Sequence, residues 1–188
     1  VKYNKFLTSC VLEKSNFQLG VLSHVHCCFS TMIYNNTDNK ENYENILPFG
    51  YLVLDFDKLE INYSSINKET TNKSLDFGFV ISEKSEECVS KIAGYMVLGD
   101  LKLNKLSAKN PYKDLVEKFT CTERHVKLLD IKLSEDIYIV YPENLLSEVN
   151  EITKSNLNRL KQEENPDYAK LNKFKFVTIE YIKKEFFN

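Results

Sequence analysis

The sequence predicts a small β-barrel carrying C-terminal helices, and three observations carry that prediction. Residues 17–141 hold successive runs with strand-like alternation or continuous β-branched and aromatic content, separated by polar stretches. Only five Gly and four Pro serve 188 residues, so Asn, Asp and Ser must carry the turns. From Glu143 the apolar period changes from that of a strand to that of a helix.

The first strand is expected over 17–34, followed by a polar stretch at 35–45, and then strands over 49–56 and 59–63. A second polar stretch at 64–74 leads to a strand over 75–82. Residues 83–92 carry charges with Cys88, Val89 and Ile92 at helical spacing, which predicts a short helix before a strand over 94–103. After a polar stretch containing Pro111, an extended run over 125–141 bends near 134–136. Pro142 ends it, because proline has no ladder donor. Leu145, Leu146, Val149, Ile152, Leu157 and Leu160 share one helical face, with Asn165–Pro166 as a break. Tyr168, Leu171, Phe174, Ile179, Ile182 and Phe186 mark a second helix; 174–177 also alternates like a strand, but length and stripe favour the helix.

Three strands, a short helix and two further strands are the order of an OB-fold, a five-stranded Greek-key barrel, with a first strand long enough to curve through both halves. A PH-like barrel is the rival and needs seven strands. Residues 1–142 form the expected barrel and 143–188 the helices packed on it, in one domain. A chain of this length buries about 70% of its unfolded surface.

Composition excludes several classes. With 43% apolar and 28% charged residues the chain folds, and no apolar run approaches a bilayer span. The opening Val1–Lys2–Tyr3 suggests an excised domain. Five cysteines without a CxxC spacing read as free thiols, and sequons at Asn35, Asn62 and Asn72 are expected by chance in so Asn-rich a chain. Residues 1–152 hold 17 basic and 22 acidic side chains, whereas 153–188 hold 8 and 5. A net acidic barrel disfavours tight autonomous binding of single-stranded DNA.

His24, His26 and Cys28 alternate along the first strand and could be zinc ligands, with Cys88, Cys121 or His125 completing a site. Solvated histidines are the commoner outcome, so no metal and no cofactor is expected. No phosphate loop, GxSxG or HExxH occurs, and the acidic pairs Glu86–Glu87, Glu135–Asp136 and Glu163–Glu164 read as solvated charge. An enzyme is not expected. The C-terminal segment carries more aromatics (Phe174, Phe176, Tyr181, Phe186, Phe187) than one stripe can bury on a barrel. Phe174, Phe176, Ile179, Tyr181 and Ile182, with Lys173 and Lys175 near the rim, are the expected dimer or partner interface. If they face outward, Tyr51, Phe56, Phe77 and Phe79 are the candidate base-stacking platforms.

The run from Leu171 to Tyr181, with Phe174-Lys175-Phe176-Val177 at its centre, resembles the C-terminal helical segment of the N-terminal OB domain in the large telomere-capping subunit of the budding-yeast CST complex. The resemblance extends to Val21–His26, Gly50–Lys58, Leu98–Leu103 and Leu128–Leu133. It implies a nuclear, telomeric, non-catalytic module. Such a module homodimerises, binds the catalytic subunit of DNA polymerase alpha, meets other CST subunits through the full-length protein, and binds single-stranded DNA weakly or not at all by itself. The alternative is an OB domain that binds single-stranded telomeric DNA directly.

Overall fold

The computed structural model describes residues 2–18, 25–43, 46–48, 50–82, 94–105, 112 and 114–188. Their strands are β1 (Lys2–Tyr3), β2 (His26–Cys28), β3 (Leu52–Asp55), β4 (Phe77–Ser82), β5 (Tyr95–Leu101), β6 (Lys132–Val140) and β7 (Phe174–Val177). The helices are α1 (Lys5–Gln18), α2 (Phe29–Asn35), α3 (Phe56–Asn67), α4 (Leu115–Leu128), α5 (Glu143–Gln162), α6 (Tyr168–Leu171) and α7 (Ile179–Ile182).

The strands form one mixed sheet in the order β2-β3-β4-β5-β6-β7, with β1 paired to β4 beyond the end of β3. From β2 to β5 the pairs are antiparallel; β5, β6 and β7 are parallel. The sheet is open, so the expected closed barrel gives way to a layered α/β fold. Parallel neighbours require long crossovers, and α4 and α5 provide them. Both crossover helices lie on one face with α1 and α3, while α2, α7 and a π-helical turn at Lys183–Phe187 cover the other. A sheet covered on both faces reads as continuous apolar strands, as Phe77–Ile81 does.

That double burial is why several expected strands are helices. Residues 29–35 form α2 because Phe29, Met32 and Ile33 fall on one helical stripe. The segment 59–63 lies inside α3, whose start is fixed by the Asp55 carboxylate accepting the Lys58 N–H at 3.0 Å. The extended run begins only at Lys132, since 125–128 completes α4. Beyond 168 the second helix is divided into α6, β7 and α7, the alternation of 174–177 having prevailed. The helix expected over 83–92 lies outside the described residues.

On the α2 face Phe29, Phe77 and Phe79 are fully buried and meet Phe186 and Phe187, with Phe29 and Phe77 centroids 4.6 Å apart. Each such ring contributes roughly 1.5–3 kcal/mol by leaving water. Gly99 is required beneath Phe77, because a Cβ there would overlap the ring. The Tyr3 ring packs on Phe187 with centroids 5.0 Å apart, and Lys2 Nζ donates to the Lys184 and Glu185 carbonyls.

Candidate functional site

Along the helix-covered face of β5, Met96 and Leu98 are apolar, and the same period of two then delivers Asp100 and, just past the strand, Lys102. Phe77 of β4 pairs with Gly99, which sets Asp76 across from Asp100. The Leu101 N–H holds Asp76 by donating to Oδ2 at 2.6 Å. Asp100 has no exposed side-chain surface.

Two ammonium groups meet these carboxylates. Lys102 Nζ lies 2.5 Å from Asp100 Oδ2. Lys118, in the second turn of α4, places Nζ 2.6 Å from Asp100 Oδ1 and 3.5 Å from Asp76 Oδ1. In the first turn of α3, Asp57 accepts from Ser74 Oγ at 2.5 Å. The cluster lies at the carboxyl end of β5, where the sheet changes from antiparallel to parallel pairing.

The cluster is electrostatically tense. Burial and the neighbouring Asp100 charge push the Asp76 carboxyl up to about 7, against the pull of Lys118. Burial also raises Asp57, with the Ser74 hydroxyl opposing. For Lys118 burial is outweighed by Asp100 and Asp76, so its pKa is raised and it stays an ammonium.

One turn further along α3 and α4 lies a second buried cluster. Glu60 Oε1 accepts from Ser64 Oγ at 2.9 Å and from the Asn72 N–H and Nδ2, both at 3.0 Å. Its Oε2 accepts from Cys121 Sγ at 3.3 Å, Arg124 Nη2 at 2.8 Å and His125 Nε2 at 2.6 Å. Burial opposes the Glu60 charge, but the hydrogen bonds from Asn72, His125 and Cys121 prevail and bring its pKa down to about 2. Burial lowers His125, which is therefore neutral, and facing an acceptor it carries its proton on Nε2. Glu60, Cys121 and His125 offer ligand atoms within 4.8 Å of one another, a donor set that suits zinc. The lone pairs are already taken by six donors, one a guanidinium, so the arrangement fits a structural knot and not a metal centre.

The sequence singled out Cys121 and His125, and the fold joins them to Glu60 instead of to the first-strand residues. His26 and Cys28 lie on β2, while His24 and Cys88 lie outside the described residues. Phe56, Phe77 and Phe79 have no exposure and cannot stack a base; Tyr51 is half-buried and donates its hydroxyl to the Phe187 carbonyl. Phe174, Phe176, Ile179 and Ile182 are buried against their own sheet, so they cannot form an exposed interface. The reason is the alternation of β7, which turns Phe174 and Phe176 inward and Lys175 outward. Lys173, Lys175 and Tyr181 stay exposed.

Sequence reasoning missed Asp76, Asp100, Lys102 and Lys118. The available signal was Asp100 and Lys102 breaking the apolar face of a strand whose other members are core. Among the described residues no helix is long and apolar enough to cross a membrane. Comparison with protein-family models, with curated proteins and with solved structures yields no match.

Proposed function

We propose that the chain hydrolyses phosphodiester bonds with a divalent cation held by Asp76 and Asp100. The observation that carries the reading is the convergence of two carboxylates and two lysines at the carboxyl end of β5. Mg²⁺ is commonly held by one or two carboxylates plus substrate phosphate oxygens. A cation so bound supplies Lewis-acid polarisation of the phosphoryl group and a more acidic water. Lys102, two residues from Asp100 on the same face, is placed to orient a water or to balance charge developing on the phosphoryl oxygens. Lys58 and Lys73 neighbour Asp57 and Ser74 in the chain, are more than half exposed, and pair with Asp55 and Asp114, carboxylates that a polyanionic substrate such as a nucleic acid would replace.

The test is cleavage of labelled single-stranded and duplex oligonucleotides with Mn²⁺ or Mg²⁺. Activity should vanish with chelator and fall about a hundred- to a thousandfold in Asp100→Asn, the scale of losing one preorganised electrostatic group in an active site. Failure of the unaltered chain to cleave either DNA or RNA with either metal would refute the reading.

A second reading is the non-catalytic telomere-maintenance module that homodimerises and binds the catalytic subunit of DNA polymerase alpha. Besides the sequence resemblance, its support is the position of β7 at one end of the strand order, with Lys175 and Tyr181 exposed beside it. Light scattering at tens of micromolar tests its self-association: a strict monomer excludes the homodimer.

A further inference from the structure

Resting on the cation site just proposed, we infer that the Lys118 ammonium is a tethered counter-ion of the carboxylate pair, which a divalent cation displaces toward the substrate phosphate. Lys118 Nζ touches Oδ1 of Asp100 at 2.6 Å and faces Oδ1 of Asp76 at 3.5 Å, so one positive charge bridges both groups. Of the remaining oxygens, Asp76 Oδ2 accepts the Leu101 N–H, and Asp100 Oδ2 is ion-paired with the Lys102 ammonium but accepts no hydrogen bond. A cation shared by the two carboxylates therefore competes for the oxygens that hold Lys118.

Lys102 is not equivalent to Lys118. It meets Asp100 alone, from the same strand and on the oxygen away from the bridge, so a cation at the bridging oxygens can bind without expelling it. Lys118 hangs from α4, and its side chain is 16% exposed, which leaves a path outward. Once released, its ammonium loses two anionic partners at the moment the site gains a divalent charge, and a phosphate oxygen is the natural replacement. Metal and substrate would then bind with positive coupling: each makes the other's site available.

The experiment measures Mn²⁺ binding by calorimetry to the unaltered chain, to Lys118→Met and to Lys102→Met, with thermal melts confirming that each folds. Both variants remove one positive charge next to Asp100, so Lys102→Met controls for the general gain in cation affinity. We expect Lys118→Met to bind Mn²⁺ about tenfold more tightly than Lys102→Met. We also expect it to lose the Mn²⁺-induced gain in affinity for a phosphorothioate oligonucleotide. Equal affinities in the two variants would overturn the inference while leaving the cation site standing. Absence of Mn²⁺ binding in all three would overturn the site itself and the inference with it.

A second measurement needs no variant. Amine acylation of the unaltered chain, read by mass spectrometry of peptides, should show Lys118 protected without Mn²⁺ and reactive with it. Saturable Mn²⁺ binding with Lys118 still protected would overturn the proposal.

Discussion

The two buried polar clusters sit on successive turns of the same helix pair and are built on opposite principles. Around Glu60 one carboxylate meets six donors from five residues, and its acidity is strengthened. Around Asp100 two carboxylates face each other across one shared ammonium, that of Lys118, and burial with the Asp100 charge raises Asp76 to about 7. A saturated cluster has nothing left to offer a ligand, whereas a repulsive one gains from any cation that enters. The two are also joined physically. Asn72 binds Glu60, Ser74 binds Asp57, and the Leu75 N–H donates to Thr122 Oγ1 at 2.8 Å, so the segment that presents Asp76 is stitched to α3 and α4. The Glu60 knot holds the carboxylate–lysine cluster in place.

Breaking the knot should have the largest effect. Glu60→Ala leaves Arg124, His125 and the Asn72 amide facing a void, and a loss of about 3–5 kcal/mol in urea unfolding is expected. A loss under 1 kcal/mol would mean that the cluster does not organise the α3–α4 interface. The sign of the pH dependence sharpens the comparison next. Glu60 falls from 4.5 to about 2 on folding, so its stabilisation is present above pH 4.5 and disappears as pH drops toward 2. Asp76 rises from 3.8 to about 7, so its effect runs the other way: stability is full below pH 3.8 and is lost as pH rises through 7. Urea midpoints should therefore climb from pH 2 to about 4.5 and decline toward 7; Asp76→Asn should flatten the decline and keep the climb. A decline that survives Asp76→Asn would assign it to another group. The smallest effect is expected for Arg124→Met. Its side chain is 38% exposed and Glu60 keeps five donors, so about 1 kcal/mol is the expected cost by thermal melting. A cost equal to that of Glu60→Ala would make the guanidinium the centre of the knot.

The parts of this fold that were legible are those where one local signal dominates. β4 and β5 announce themselves by the apolar runs Phe77–Ile81 and Tyr95–Gly99, and α5 by a stripe from Leu145 to Leu160 that no strand could use. What failed was the choice between strand and helix in short mixed segments. Leu59, Ile61 and Tyr63 alternate as in a strand, yet Phe56, Leu59 and Glu60 form the buried helical face, while Ile61 is left exposed. The barrel expectation fell with these segments, because turning one expected strand and parts of two others into covering helices changes a closed sheet into an open layered one. The candidate site was invisible for a different reason. Asp76 and Asp100 are 24 positions apart, and Lys118 joins them only through the α4 crossover, so no spacing rule links the three.

The packing of Tyr3 on Phe187 constrains the order in which the molecule can assemble. β1 is bonded to β4 inside the sheet, but its outer face is closed by the π-helical turn, through contacts spanning 182 and 183 positions of sequence. As the chain leaves the ribosome, β1 must wait for almost every other element before its last neighbours arrive. Contacts of such separation slow folding, because the loop entropy is spent before the contact is made. Until then the buried ring of Phe79 lacks Phe186 and Phe187, and a nascent chain halted before residue 186 presents an aromatic surface for chaperones to cover.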